Sequence, residues 1–522
     1  MKRAENVWGF MGTVLIAQGD SVLFRHGYGF ANIAKKQPMT PEKKFLIGSI
    51  TKSFTAIAIM QLWEKGKLDM DKTISEYLLE YPSDIANKIT IHHLLSHQSG
   101  IPDFISIPGF QERAREKIST DELIAYFENL PLLFNPGERY TYSSSNYILL
   151  GKIIENVTGQ EWAEYVKLNI CEPAYMQNTG VYYDYDVRDD FAVGYNITSD
   201  GDTSEAWIVH PSCGYAAGGL ASNIDDLYSL HKALYGSDIL SQELIDSMLT
   251  SQTPFYGYGW LIDELAEHKL TAHGGGTPGF TSMFQRWIDD SVCVIVLSNN
   301  AIAPAHAIAT GLAAIIFEEE YELPSIKEPM MISVNDAKEY EGVYQIDSVD
   351  YRIIEIEAEQ LFAKRKDNMP MMIWPESKDK FYFDQDHMTT ITFHRNDSGK
   401  IISHVIKQNF ISDTAWLVKG DDAQRLLYGG VVTSKSEDDL ERLTGKYKIT
   451  PAGFTLTIKF KDGDLYAKAF DSPDFKMLPV SDTMFALEGL SARIIYKLNP
   501  DKPVDSIRFY QDGQTMVGIR QK

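Results

Sequence analysis

The stretch FLIGSITKSFTAIAIMQLWEKGKL, residues 45–68, determines how the rest of the chain is interpreted. Ser49 stands where a glycine-containing segment passes into a long apolar run, which predicts the start of an amphipathic helix. Lys52 follows three residues later, and residues three apart on a helix share a face, with Cβ atoms about 5–6 Å apart. The pair is therefore either a nucleophile with its base, or a helix cap followed by a solvated lysine.

The first interpretation requires a lysine that can accept a proton. A helix N-terminus carries a partial positive charge, and burial lowers the pKa of a lysine by disfavouring its ammonium form. Placed in this way, Lys52 could take the proton of the Ser49 hydroxyl near neutral pH.

Two further segments carry groups suited to the same chemistry. In FNPGERYTYSSSNYILLG, residues 134–151, Tyr142 lies in a polar loop before a helix, where its hydroxyl could act as acid or base or its ring could simply pack. In TAHGGGTPGF, residues 271–280, three glycines follow His273. Such a segment is either a plain turn or a backbone that approaches a ligand closely and offers it N–H groups, as an oxyanion site requires.

Composition excludes several classes of protein. The 522 residues are 44% hydrophobic and carry a net charge of −23, which argues for about three packed domains and against nucleic acid or an anionic membrane as partner. No apolar run approaches the roughly 20 residues that span a bilayer. The three cysteines, too few for a disulfide framework or a zinc site, are expected to be reduced and buried. They are Cys171, Cys213 and Cys293.

The N-terminus allows two interpretations. MKR followed by VWGFMGTVLIA is similar to a short signal peptide, but GTVLIAQGDSVLF also fits two strands around a Gly19-Asp20 turn. We favour the hairpin, with the chain beginning almost directly on a strand. The compartment stays open: cytoplasmic for the chain as given, periplasmic or secreted if a signal has been removed.

Pattern along the chain predicts its organisation. Helices are expected over residues 53–64 and 147–158, a strand buried on both faces over 292–298, and a linker over 320–333. Beyond residue 333, short alternating segments predict antiparallel β structure.

This β region contains an internal repeat. EGVYQI from Glu341 matches TGKYKI from Thr444, and ITFHRN from Ile391 matches IIYKLN from Ile494; both pairs are 103 residues apart. We infer two copies of a small closed barrel. The predicted domains are 1–325, 334–430 and 437–522.

Six segments in chain order carry a family resemblance. They are GYGFAN, MTPEKKFLIGSITKSFTA, ITIHHLLSHQSGIPDF, NPGERYTYSSSNYILLG, AAGGLASNIDDL and HGGGTPGF. The set resembles the serine β-lactamase and penicillin-binding-protein superfamily, in its class C-like branch with D-aminopeptidases and esterases (peptidase family S12). The resemblance implies an α/β (α+β) catalytic domain, an antiparallel sheet flanked by helices, followed by two lipocalin-like antiparallel β-barrels.

The resemblance also implies roles for individual residues. Ser49 matches the acylating nucleophile, Lys52 its partner, and Tyr142 the tyrosine of the Tyr-x-Asn element. His273 and Gly275 match the Lys/His-x-Gly element on the strand that lines the site.

The backbone N–H groups of Ser49 and Gly276 would form the oxyanion hole. The family's chemistry needs neither cofactor nor metal, and the substrate would be a small molecule or a short peptide. A homodimer is possible.

Two positions depart from the family pattern. Ser144 stands where the Tyr-x-Asn asparagine is expected, and a hydroxyl cannot replace both amide functions; Asn146 is a candidate substitute. His273 replaces the lysine of the penicillin-type element, and an imidazole of ordinary pKa is mostly neutral at pH 7. That weakens recognition of a substrate carboxylate and favours N-terminal D-amino-acid amides, peptides or esters.

Other interpretations stay open. The hydrolase could be a carboxylesterase, or a DD-carboxypeptidase or β-lactamase. A protein of another class, which binds cell-wall polymer or a partner through its β-domains and is not catalytic, is the remaining alternative. His93 and His97 are spaced like metal ligands but lack a third ligand, so we expect both to be structural.

Overall fold

The described part of the chain forms two compact units, one mainly before residue 325 and the other mainly after residue 328. The computed structural model describes residues 1–521 except 198–201, 237, 254, 266, 322, 325–328, 347–349, 367–368, 384–388, 409–410, 429–436, 451–453, 470–473, 480–483, 488–491, 497–503, 505 and 512–513. Residues 322 and 325–328 of the predicted linker thus lie outside the described part.

The first unit combines one large antiparallel sheet with helices. Its helices are α1 Lys2–Trp8, α2 Thr51–Glu64, α3 Ser83–Ala86, α4 Ile91–Leu95, α5 Phe110–Arg113, α6 Thr120–Ala125, α7 Ser144–Thr158, α8 Trp162–Val166, α9 Pro211–Gly218, α10 Ile224–Ala233, α11 Gln242–Met248 and α12 Ala305–Ile316. Its strands are β1 Gly12–Gln18, β2 Ser21–Tyr28, β3 Phe30–Asn32, β4 Gln37–Pro38, β5 Phe45–Leu46, β6 Tyr195–Ile197, β7 Thr203–Glu205, β8 Ala221–Ser222, β9 Leu261–Leu265, β10 His268–Thr277, β11 Phe280–Trp287 and β12 Val292–Ser298. The large sheet has the order β2-β1-β12-β11-β10-β9, with every neighbouring pair antiparallel.

Strand β12 shows why helices cover both faces of this sheet. All seven of its residues are buried. Successive side chains of a strand point to opposite faces, and here Cys293 and Ile295 enter the core shared with α2 and α7. Val294 and Val296 enter the core shared with α1 and α12. The predicted doubly buried strand and the sheet between helices are confirmed.

The N-terminal hairpin is confirmed, and one detail of it was wrong. Strands β1 and β2 pair as predicted. The chain does not begin almost directly on a strand, because α1 precedes β1 and buries Ala4 and Trp8 in the second core. A helix of seven residues has too few turns for its periodicity to stand out in the sequence.

Helix α2 lies at the centre of the first unit. Every residue from Thr51 to Leu62 is buried, so the helix is enclosed on all sides. The prediction of an amphipathic helix was therefore wrong. Two of its polar residues bond to neighbouring segments: Ser53 donates to the Gly259 carbonyl at 2.7 Å, and Thr55 donates to the Ala216 carbonyl at 2.7 Å. Buried polar groups with partners hold a helix in one orientation as well as stabilising it.

The three cysteines and the apolar helices were both subjects of sequence predictions. Cys171, Cys213 and Cys293 are buried and form no disulfide. None of the helices in the described ranges is both long and apolar enough to cross a bilayer.

The second unit contains two closed eight-stranded antiparallel barrels, as predicted. The first is built from β13 Gly342–Gln345, β14 Tyr351–Glu357, β15 Gln360–Arg365, β16 Met371–Ser377, β17 Lys380–Tyr382, β18 Thr389–Arg395, β19 Ile401–Gln408 and β20 Ile411–Val418. The second is built from β21 Gly445–Thr450, β22 Thr455–Lys461, β23 Asp464–Ala469, β24 Phe475–Pro479, β25 Met484–Leu487, β26 Ala492–Tyr496, β27 Ser506–Gln511 and β28 Gln514–Arg520. The helices of this unit are α13 Val334–Ala337, α14 Asp421–Tyr428 and α15 Glu437–Glu441.

The sequence repeat corresponds to a repeated contact. Tyr344 is buried on the first strand of the first barrel, and its hydroxyl donates to the Tyr340 carbonyl at 2.8 Å. Tyr447 occupies the equivalent place in the second barrel and donates to the Leu443 carbonyl at 3.2 Å. The same buried hydroxyl thus closes the same entry turn in both barrels.

Candidate active site

Ser49 lies in a single 3₁₀ turn, Gly48–Ile50, between β5 and the start of α2. Gly48 adopts a φ of +51°, and a Cβ there would lie 2.8 Å from the amide nitrogen of Gly276. Only glycine fits this close approach. Gly48 and Ile50 are buried while Ser49 is half-buried, so the serine is the most exposed residue of the turn.

Lys52 is fully buried and lies against Ser49. Its Nζ is 2.9 Å from Ser49 Oγ, 2.8 Å from the Ala217 carbonyl oxygen and 3.4 Å from Ser144 Oγ. Burial lowers the pKa of Lys52 to about 7, and the Asp103 carboxylate acts in the opposite direction. A large part of the lysine is therefore an uncharged amine at neutral pH.

The contacts also suggest the orientation of that amine. An uncharged amine has two N–H bonds and one lone pair. The Ala217 carbonyl can only accept, so it takes one N–H bond. With a second N–H bond directed at Ser144 Oγ, the lone pair faces the Ser49 hydroxyl. This is the arrangement that proton transfer from serine to lysine requires.

Tyr142 lies next to Lys52 in the site. Burial raises the pKa of Tyr142 well above its ordinary value, while the nearby Ser49 side chain partly opposes that rise. Lys52 Nζ lies 5.0 Å from the centroid of the Tyr142 ring. The phenol is consequently protonated at neutral pH and can exchange a hydrogen bond with the serine.

The predicted substitute for the missing asparagine does not take its place. Asn146 is buried in the first turn of α7, where its Oδ1 accepts from Ser99 Oγ at 2.6 Å and its Nδ2 lies 3.2 Å from His97 Nδ1. The amide therefore supports the loops around the site. Ser144 itself supplies the group next to Lys52.

His273 lies on strand β10. It is buried, and its Nδ1 donates to the Gly274 carbonyl at 2.7 Å, which leaves Nε2 to accept from the Tyr256 hydroxyl at 3.0 Å. Burial and the charge of Lys52 lower the pKa of His273 to about 3. The imidazole is neutral at physiological pH and offers no positive charge to a substrate.

The glycines after His273 bring strand β10 against the Gly48–Ile50 turn. A Cβ on Gly275 would collide with the Ile47 carbonyl oxygen and would lie 2.6 Å from Ser282 Oγ. A Cβ on Gly276 would meet nothing within 4 Å, so that residue borders open space. The backbone of Gly276 thus lies beside Gly48 with its other side free, as a residue that lines a cleft would.

These adjacent glycines give a matched pair for a stability test. We expect Gly275→Ala to destabilise the protein by about 1–3 kcal/mol, because the new methyl group overlaps backbone atoms that cannot move aside. Gly276→Ala should change stability by less than about 1 kcal/mol. Urea unfolding of both variants measures the difference, and equal losses would contradict this view of the turn.

Both histidines make structural contacts. His93 forms a reciprocal cap at the start of α4, in which Thr90 N–H donates to His93 Nδ1 at 3.2 Å, and it is structural as predicted. No group of three potential metal ligands occurs among the residues that the structure describes. His97 accepts from Ser143 N–H at 3.2 Å through Nδ1, also as a structural residue, and its ring lies 4.3 Å, centroid to centroid, from the ring of Tyr142.

No part in catalysis was inferred from the sequence for four groups near the site. They are His97, Asp103, the Ala217 carbonyl and Tyr256. The first two lie in the family-like segment ITIHHLLSHQSGIPDF and Ala217 in AAGGLASNIDDL. For the groups in these segments, the family resemblance was the signal that could have identified them. No spacing pattern in a sequence points to a backbone carbonyl such as that of Ala217 or to a buried tyrosine such as Tyr256.

An antiparallel sheet between helices, with a Ser-x-x-Lys pair at the start of the buried helix, defines the fold of the serine hydrolases that include β-lactamases and penicillin-binding proteins. The Beta-lactamase family model matches residues 8–316, and the chain belongs to that family.

Three known proteins illustrate the relationship. Penicillin-binding protein 4* of Bacillus subtilis is 29% identical over 399 residues, 72% of this chain and 88% of that protein. The octameric penicillin-binding protein homologue of Pyrococcus abyssi is 27% identical, with a TM-score of 0.58 over 80% of this chain and 96% of that one. A D-stereospecific amidohydrolase of Streptomyces sp. is 25% identical, with a TM-score of 0.51 over 57% of this chain and 93% of that one.

Proposed function

We propose that this protein is a serine hydrolase that forms an acyl-enzyme on Ser49 with small amide, peptide or ester substrates, in the manner of D-aminopeptidases and D-amino-acid amidases of peptidase family S12. The observation that carries the proposal is the 2.9 Å contact between Ser49 Oγ and a buried Lys52 whose pKa is lowered to about 7. A nucleophile in contact with a base of matched pKa is the arrangement that covalent catalysis needs.

Acylation follows from these contacts. Lys52 Nζ takes the Ser49 proton while Oγ attacks the carbonyl carbon of the substrate. The resulting oxyanion is held by the N–H groups of Ser49 and Gly276. Tyr142 donates its proton to the leaving group as the bond to carbon breaks, and the proton on Lys52 returns to Tyr142.

Deacylation uses the same groups in reverse. Water attacks the ester carbonyl and gives a proton to the Lys52 and Tyr142 pair, and Ser49 leaves protonated. Every proton lost in the first half of the cycle is recovered in the second, so the cycle requires no cofactor.

The chemistry of His273 supports the choice of substrate class. Its imidazole is uncharged, and both ring nitrogens are engaged by Tyr256 and the Gly274 carbonyl. A site without a cation at this position has no full charge to pair with a substrate carboxylate. N-terminal D-amino-acid amides, peptides and esters lack that carboxylate next to the scissile bond. The D-stereospecific amidohydrolase of similar fold adds support.

A second candidate has its own support. The similarity to Penicillin-binding protein 4* favours a DD-carboxypeptidase or β-lactamase, and a carboxylesterase would use the same groups. D-Ala-p-nitroanilide, a chromogenic cephalosporin and p-nitrophenyl butyrate distinguish these activities. We expect the anilide to give the highest kcat/KM relative to its uncatalysed rate.

The acyl adduct itself is the test of the proposal. Intact-mass spectrometry of the protein stopped in mid-turnover should show one acyl group, and peptide mapping should locate it on Ser49. If none of the substrates is turned over and no adduct forms, the result would contradict the enzyme and favour the non-catalytic alternative, a protein that binds a cell-wall polymer or a partner.

We also propose a division of the chain into domains and an oligomeric state. We place the chemistry in residues 1–325 and assign residues 334–430 and 437–522 to the two barrel domains. The octameric homologue supports a homo-oligomer, of which the homodimer is the simplest form.

A further inference from the structure

His97 occupies an unusual place next to the candidate active site. It follows α4, is fully buried and adopts a left-handed φ of +56°. That conformation costs a non-glycine residue about 1–3 kcal/mol and persists only where the surroundings impose it. Contacts of His97 with its surroundings must therefore offset the free-energy cost of this backbone conformation.

The contacts of His97 bracket one residue of the site. Its carbonyl oxygen accepts from the Thr141 N–H at 2.9 Å, and its Nδ1 accepts from the Ser143 N–H at 3.2 Å. Thr141 and Ser143 are the two neighbours of Tyr142 in the chain. Between these two hydrogen bonds, the imidazole ring lies against the Tyr142 ring with centroids 4.3 Å apart and planes inclined by 35°.

The protonation state of His97 is defined by the same contacts. Nδ1 accepts from Ser143 N–H and faces the Asn146 amide nitrogen at 3.2 Å, so the proton lies on Nε2. Burial, followed by the charges of Lys52 and His273, holds the pKa of His97 well below its ordinary value. The ring is therefore a constant hydrogen-bond acceptor and does not change charge over the range in which the protein works.

We propose that His97 is a positioning residue that fixes Tyr142 against the Ser49 hydroxyl. The inference rests on the proposed function, because Tyr142 matters only if it moves a proton for Ser49. The loop that carries Tyr142 runs between a Pro-Gly turn and α7, and the two hydrogen bonds to His97 hold its backbone on both sides of the phenol. Small displacements of a catalytic group can cost about 10²-fold in rate.

Two substitutions separate positioning from packing. His97→Asn keeps an acceptor, since the amide Oδ1 can take the place of Nδ1, and asparagine tolerates a left-handed φ. His97→Leu keeps much of the volume but removes the acceptor. His92→Leu is the control: His92 lies on α4, and its Nδ1 is paired with the Tyr258 hydroxyl at 2.7 Å, away from Tyr142.

The measurements are kcat and KM for p-nitrophenyl butyrate and D-Ala-p-nitroanilide, thermal unfolding, and the fraction of protein that a fluorophosphonate finally labels. We expect His97→Leu to lower kcat by about 30- to 100-fold with KM changed less than about threefold, while labelling still reaches completion at a lower rate. His97→Asn should retain kcat within about fivefold of wild type. His92→Leu should lower the melting temperature without a comparable loss of kcat.

Two results would overturn the proposal. One is a His97→Leu variant whose kcat stays within about threefold of wild type. The other is a His97→Asn variant that loses as much kcat as His97→Leu at the same melting temperature, since the acceptor would then be irrelevant. Failure of the proposed function is a separate result, in which the wild type itself gives neither turnover nor an adduct on Ser49.

Discussion

Replacing Ser49 by alanine is expected to lower kcat by at least about 10⁴-fold and to prevent labelling by a fluorophosphonate. The Ser49 hydroxyl contacts Lys52 Nζ at 2.9 Å, so alanine removes the nucleophile and leaves the Lys52 side chain in place. The chain offers a matched control in Ser53, one turn further along α2, which is buried and donates to the Gly259 carbonyl at 2.7 Å.

Ser53→Ala should lose about 1–2 kcal/mol of stability and keep its activity within a few-fold of wild type, because its hydroxyl bonds to the Gly259 carbonyl and not to the Lys52 amine. Turnover of p-nitrophenyl butyrate and gel fluorescence of labelled protein measure both variants. A Ser49→Ala variant that labels as well as wild type would place the nucleophile elsewhere.

Lys52→Met carries the second largest expected effect, a loss of about 10³-fold in the rate of Ser49 acylation. General bases contribute roughly 10²- to 10⁴-fold, and no other side chain in the described contacts of Ser49 can take its proton at neutral pH. Lys44→Met is the control, since Lys44 is also buried but pairs with Asp190 at 2.8 Å. It should acylate at the wild-type rate.

Stability distinguishes the loss of a base from the loss of the fold. Lys52 has a pKa of about 7 in the folded protein and an ordinary value of 10.5, so the unfolded chain binds the proton more tightly. The free energy of unfolding therefore decreases as the pH falls from about 10 to about 7. Methionine removes that cost, and Lys52→Met should be at least as stable as wild type at pH 7 in urea unfolding. An inactive but destabilised variant would contradict this account.

Much of the fold could be predicted because the relevant signals are local. The run VCVIVLS predicted a strand buried on both faces, and β12 sends alternate residues into two cores. The 103-residue repeat predicted two barrels, and Tyr344 and Tyr447 make the same contact in each. In both cases a short pattern was sufficient.

The remaining features depend on contacts distant in sequence. Helix α2 is buried because segments more than 150 residues away pack around it, including those that contain Gly259 and Ala216. The role of His97 depends on a left-handed backbone and on hydrogen bonds to Thr141 and Ser143, which no spacing in the sequence indicates. Ser49 and Lys52 were predictable as a pair because three residues on a helix fix their distance.

The pH dependence of Ser49 acylation tests the central claim most directly, namely that a neutral Lys52 activates Ser49. The rate of fluorophosphonate labelling would be measured from pH 5 to pH 10 for wild type and Lys52→Met. Because Lys52 accepts a proton only when uncharged and its pKa is about 7, the wild-type rate should rise up to tenfold per pH unit below 7 and level off above. The inflection near pH 7 should vanish in Lys52→Met. A wild-type rate that is flat across this range, or that rises only above pH 9, would contradict the account.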